Sequence, residues 1–116
     1  MAEIDIHGVH TTLEPGLKRY IIKKINRLEK YIPLPARRSL AVDIYLSENR
    51  THGGKQCECE AVVHLPKETI RVREATMNMY AATDIVEEKL KQALIRYKEL
   101  HGHLKLKRHS KNHSHL

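Results

Sequence analysis

The chain of 116 residues carries 21 Lys and Arg against 14 Asp and Glu, nine His, five Tyr and neither Phe nor Trp. This length sets one domain with one modest core, and 41% hydrophobic with 30% charged residues excludes a disordered or fibrous chain. No stretch approaches the roughly 18 apolar residues of a membrane helix, and the acid-bearing N-terminus lacks a signal peptide's basic region, so a cytoplasmic protein without a membrane partner is expected.

Residues 3–8 alternate, Ile4 and Ile6 against Glu3, Asp5 and His7, as a strand with one buried face does. Thr12 followed by Pro15 starts a helix expected to run to Tyr31, where Pro33 and Pro35 stop it. Leu17, Ile21, Ile25, Leu28 and Ile32 form its apolar stripe, and Arg19, Lys23, Arg27 and Lys30 fall nearly opposite. Residues 39–47 alternate again, with Leu40, Val42, Ile44 and Leu46 inward and Tyr45 outward. Residues 48–55, containing Gly53 and Gly54, read as a hairpin loop. The next strand turns Cys57, Cys59, Ala61, Val63 and Leu65 inward, opposite Glu58, Glu60, Val62 and His64. After a turn at residues 66–68, residues 69–74 complete an antiparallel meander with Ile70 and Val72 inward and Arg71 and Arg73 outward. The last helix is expected over residues 76–100, with Met79, Ala82, Thr83, Val86, Leu90, Ala93, Leu94 and Tyr97 as its stripe. Lys89, Lys91, Arg96 and Lys98 lie off that stripe, C-terminal to Asp84, Glu87 and Glu88, as the helix dipole favours. Residues 101–116 hold five of the histidines with Lys105, Lys107, Arg108 and Lys111 and no acid, and read as a disordered basic tail.

The order β-α-β-β-β-α makes residues 1–100 an α+β domain, a four-stranded sheet with both helices packed on one face. The basic face of the first helix and the basic half of the last are then expected to merge into one ridge suited to a polyanion. Cys57 and Cys59 are too few for a zinc site and awkwardly spaced for a disulfide, so core packing is expected of them. No nucleophile sits beside a histidine and an acid, and Gly53-Gly54 precedes a strand instead of a helix. A catalytic site, a cofactor and a physiological metal are therefore not expected, the tail histidines binding divalent metal only adventitiously. Tyr45 alone is positioned for an exposed sheet face, which disfavours base stacking and leaves recognition of phosphates and RNA shape.

Three anchors carry a family resemblance. The first is Pro15, Leu17, Lys18, Tyr20, Ile21, Lys23, Lys24, Ile25, Arg27, Leu28, Glu29, Lys30 and Tyr31 at their spacing. The second is His64-Leu65-Pro66 followed by Ile70-Arg71, and the third is Met79-Tyr80-Ala81-Ala82 with Asp84, leading into Lys89-Leu90. Over residues 4–100 the chain resembles the ribosome hibernation-promoting factor family, which includes ribosome-associated translation inhibitors and was once called sigma-54 modulation proteins. The resemblance implies a non-enzymatic domain, similar to double-stranded RNA-binding domains, whose partner is the small ribosomal subunit and its ribosomal RNA, not DNA. It implies occupancy of the messenger and transfer RNA channel, inhibition of translation under stress or in stationary phase, and a monomer off the ribosome. The family's RNA contacts carry over to Lys18, Lys24, Arg27, Lys30, Lys89 and Arg96, to which the helical wheel adds Lys23, Lys91 and Lys98. Gln92 and Ile95 stand where basic residues are frequent in the family, and Asn78 where an acid is usual. Long members carry a further C-terminal domain that pairs ribosomes, so a short form is expected here. The older family name keeps a second class open, a protein-interaction regulator of a sigma-54-type transcription factor.

Overall fold

The computed structural model describes residues 3–102, and its main elements follow the expected order. Strand β1 (Glu3–Val9) pairs parallel with β2 (Ala41–Thr51), β2 antiparallel with β3 (Gly54–His64), and β3 antiparallel with β4 (Thr69–Thr76). The sheet is thus mixed, in the order β1-β2-β3-β4. The parallel pair follows from the helical crossover between β1 and β2, while tight turns make the rest antiparallel. Helices α1 (Pro15–Asn26) and α3 (Met79–Tyr97) cover one face. Leu17, Ile21 and Ile25 of α1 and Val86, Leu90 and Leu94 of α3 are buried there with Val42, Ile44, Leu46, Cys57, Cys59, Ala61 and Val63 of the sheet. Both thiols are free, and burial pushes that of Cys59 up to about 11, so it stays protonated inside the core.

Several boundaries differ from the sequence expectation. The first helix does not run unbroken to Tyr31, because α1 ends at Asn26 and tightens into a 3₁₀ turn, Arg27–Tyr31. Pro33 disfavours a helical residue before it, so Ile32 is extended (φ −104, ψ 132) and the last turn winds down toward it. Pro33 and Pro35 also begin the single turn α2 (Leu34–Arg37), where Arg37 Nε donates to the Ile32 carbonyl at 2.8 Å. The loop expected over residues 48–55 shrinks to His52 and Gly53, since Asn49 with Gln56 and Arg50 with Lys55 continue the ladder. Gly54, at φ 121, permits that tight reversal. Val62 is buried although it lies on the outward side, because it sits on a central strand between Asp43 and Arg71. The last helix starts at Met79, not residue 76, since β4 extends to Thr76 and Asn78 caps α3 by accepting from the Tyr80 and Ala81 N–H groups at 2.7 and 3.2 Å. A π-helical turn, Lys98–Gly102, follows it. His101, expected in the tail, instead lies in that turn with its ring 4.4 Å from Tyr97. The remainder of the expected tail, residues 103–116, lies outside the described residues. Among the described residues no helix is long and apolar enough to cross a membrane.

Candidate nucleic-acid interface

The two helices run side by side in the same direction, as their contacts advance together along both helices. The Tyr20 and Tyr80 rings meet edge to face at 5.0 Å, and the Tyr20 hydroxyl donates to Asp84 Oδ1 at 2.6 Å. Lys24 Nζ then lies 3.1 Å from Asp84 and 3.2 Å from Glu87, and Arg27 Nη2 lies 3.3 Å from Glu87. At the C-terminal end, Lys30 and Lys91 bring their ammonium groups within 5.4 and 5.7 Å of the centre of the Tyr31 ring. The 3₁₀ turn matters for this last contact. It advances each residue roughly 20° further around the axis than an α-helix does, which carries Tyr31 well out of the phase it would have in an unbroken helix.

Electrostatics divide the seam in two. The Tyr20 hydroxyl, and after it the Lys24 ammonium, hold the Asp84 carboxyl below its ordinary value. In return, Asp84 as acceptor raises both the Tyr20 phenol and the Lys24 ammonium. These groups therefore keep their usual charges at neutral pH and cancel one another. Lys89 is similarly paired, with Glu74 of β4. Around Tyr31 the balance is different, because among the described residues neither Lys30 nor Lys91 has a carboxylate partner. With Arg27, Leu28, Tyr31, Glu87 and Glu88, they line a shallow pocket of about 230 Å³.

The expected continuous ridge is therefore interrupted. Of the nine candidate residues, Lys24, Arg27 and Lys89 are engaged by carboxylates, whereas Lys18, Lys23, Lys30, Lys91, Arg96 and Lys98 have none among the described residues. Lys18, Lys23 and Arg96 are exposed on the helices and Lys98 on the π-turn, while Lys91 is half-buried beside Tyr31. Helical wheels place cations around each axis but say nothing of the register between two helices, which sets Asp84 and Glu87 against Lys24 and Arg27. Tyr20 and Tyr31 enter the sequence reading only as residues of the first anchor, with no contact assigned to them, and Glu74 belongs to a strand.

The remaining polar features fit phosphate less well. A hollow of about 620 Å³ opens where the helices begin, among His10, Thr11, Lys55 and Asn78, but Glu14 and Glu48 also line it. On the open face of the sheet, His7 and His64 set their Nε2 atoms 3.3 and 3.0 Å from the two oxygens of Asp43, and Tyr45 stacks on His7 at 4.8 Å. Among the described residues no three His, Cys, Asp or Glu side chains gather as metal ligands.

Comparison with known proteins connects this geometry to a group. The family described as Sigma 54 modulation protein / S30EA ribosomal protein matches residues 4–101. A Staphylococcus aureus (strain COL) protein named ribosome hibernation promotion factor is 26% identical over 98 residues, which is 84% of this chain and 49% of that protein. The chain thus spans about half the length of this curated relative. Among solved structures, the N-terminal domain of Thermus thermophilus Protein Y is similar with a TM-score of 0.70 at 25% identity, covering 84% of this chain and 99% of that one. A ribosomal subunit interface protein from Coxiella burnetii is similar with a TM-score of 0.68 at 26% identity, covering 84% and 98%.

Proposed function

The chain belongs to the Sigma 54 modulation protein / S30EA ribosomal protein family, and we propose on that premise that it is a ribosome-binding hibernation factor acting without catalysis. Its relatives are named for ribosome hibernation and for the ribosomal subunit interface, which supports a ribosomal partner here. In this reading the domain docks on the small subunit in the cytoplasm, as a monomer, with phosphates of ribosomal RNA against the helical face. Its bulk then keeps messenger and transfer RNA out of their sites.

The observation that carries the reading is the pair Lys30 and Lys91, which converge on one tyrosine ring from two elements and form no ion pair with a carboxylate among the described residues. Two cations gathered at one ring without an ion-pair partner among the described residues raise the local positive potential, and a phosphate bound there neutralises it. Arg96 and Lys98 follow Lys91 on the C-terminal side, and Lys18 and Lys23 lie on α1 ahead of the neutralised middle. Six phosphate contacts make binding strongly dependent on salt, with affinity falling about a thousandfold between roughly 50 and 200 mM.

The test is co-sedimentation with vacant ribosomes through a sucrose cushion. Wild-type protein should pellet with ribosomes at low salt, and the Lys30→Glu, Lys91→Glu double variant should stay in the supernatant with an unchanged circular dichroism spectrum. Normal pelleting of that variant would move the interface elsewhere. If the protein instead retains a transcription factor after nuclease treatment and recovers no ribosomal RNA, the sigma-factor reading implied by the family's other name takes precedence.

A further inference from the structure

The middle of the helical surface carries as much negative as positive charge, which a surface made only to attract RNA has no reason to do. Lys24 and Arg27 face Asp84 and Glu87 at 3.1 to 3.3 Å, and the Asp84 and Arg27 side chains are about half exposed. A phosphate approaching either cation there meets a carboxylate already in contact with it, and like charges so placed oppose binding. Holding the half-buried Lys24 ammonium requires one acid, and Glu87 meets that need at 3.2 Å. Asp84 adds a second negative charge on the exposed side, fixed by the Tyr20 hydroxyl.

Resting on the proposed RNA-binding role, we infer that Asp84 and Glu87 are specificity-determining residues. They bar a continuous RNA backbone from the middle of the seam, so that RNA is held where its phosphates fall on the cations to either side that have no carboxylate partner among the described residues, Lys18 and Lys23 before it and Lys30 and Lys91 beyond it. An ordinary A-form duplex, whose phosphates run without interruption, is penalised. An RNA surface with phosphates spaced to straddle the neutral middle is not.

The Asp84→Asn, Glu87→Gln double variant keeps side-chain shape and hydrogen bonding while freeing Lys24 and Arg27. Its binding to a mixed-sequence RNA duplex of about 20 base pairs should tighten about tenfold. The slope of log affinity against log salt should steepen by about one to two, one unit for each cation released. Binding to ribosomes should change less than about threefold, so selectivity for ribosomes over duplex falls. Glu58→Gln with Glu60→Gln, on the open sheet face, removes the same charge elsewhere and should leave duplex binding near wild type. Unchanged or weaker duplex binding by the Asp84, Glu87 variant, or an equal gain from the Glu58, Glu60 variant, overturns the inference. Thermal melting checks the fold. Should the double variant melt early, Glu87→Gln alone frees Arg27 and should show a smaller gain of the same sign, whose absence also overturns the inference. The duplex measurement uses no ribosomes, so a wild-type chain that fails to pellet with ribosomes sinks the proposed function without deciding this point.

Discussion

Asp43 accepts hydrogen bonds from histidines on both neighbouring strands, and the contact with His64, followed by that with His7, holds its carboxyl below the ordinary carboxylate value. A carboxylate depressed by folding binds its proton more weakly in the native state than in the unfolded chain. It therefore stabilises the fold above about pH 4 and loses that contribution as pH falls through the native value. Its side chain is partly exposed and its partners more so, which limits the effect to about 1 kcal/mol or less. Asp43→Asn should accordingly lower the urea midpoint at pH 5, and the gap from wild type should close steadily below about pH 4. A gap that stays constant down to pH 3 would mean that Asp43 contributes by packing alone. Nothing in the spacing of residues 7, 43 and 64 announces this cluster. It exists because the parallel β1–β2 and antiparallel β2–β3 registers set His7 beside Tyr45 and His64 beside Ala41, each one diagonal step from Asp43 on the same face.

Helix α3 illustrates what local signals specify. Asn78 takes the extended backbone of a cap (φ −137, ψ 128), and its side-chain oxygen accepts from two N–H groups of the first turn. Asn78→Ala should cost about 1 kcal/mol in chemical denaturation, whereas Asn78→Asp, which keeps the acceptor and adds charge favourable to the helix dipole, should be neutral or stabilising. Apolar periodicity was equally informative. The stripe Leu17, Ile21, Ile25, Leu28 and the alternation Val42, Ile44, Leu46 are buried as their spacing requires, since burying these side chains is the main force that assembles the elements. What periodicity missed are features set by competition or by tertiary register. The wind-down into the 3₁₀ turn before Pro33, the start of α2 and the continuation of the hairpin ladder to Thr51 depend on backbone hydrogen bonding beyond the apolar pattern. The candidate interface was legible in its cations but not in its neutralisation, because the acids facing Lys24, Arg27 and Lys89 come from other elements.

At the scale of the whole molecule the two faces differ in sign. The sheet registers set Glu3, Asp5, Asp43, Glu58 and Glu60 on the open side, against Arg71 and Arg73. Arg73 is already paired, with Glu58 at 3.0 Å. Among the described residues Arg71 has no such pair, but Lys18, Lys23, Lys30, Lys91 and Arg96, which also have none, stand on the helical side, a layer away. Stacked layers lie about 10 Å apart, close to one Debye length at physiological salt, so each face presents mainly its own charge to a partner. RNA phosphates should therefore be drawn to the helices and repelled by the sheet, which orients the domain on approach. Charge reversal gives a direct comparison. Arg71→Glu with Arg73→Glu should change ribosome co-sedimentation less than about threefold at moderate salt, although it removes as much positive charge as Lys30→Glu with Lys91→Glu, which should abolish it. Because net charge is equal in the two double variants, any difference between them reports position and not overall attraction. Equal losses would mean that RNA grips both faces, and the domain would then have to sit inside a cleft instead of against a wall.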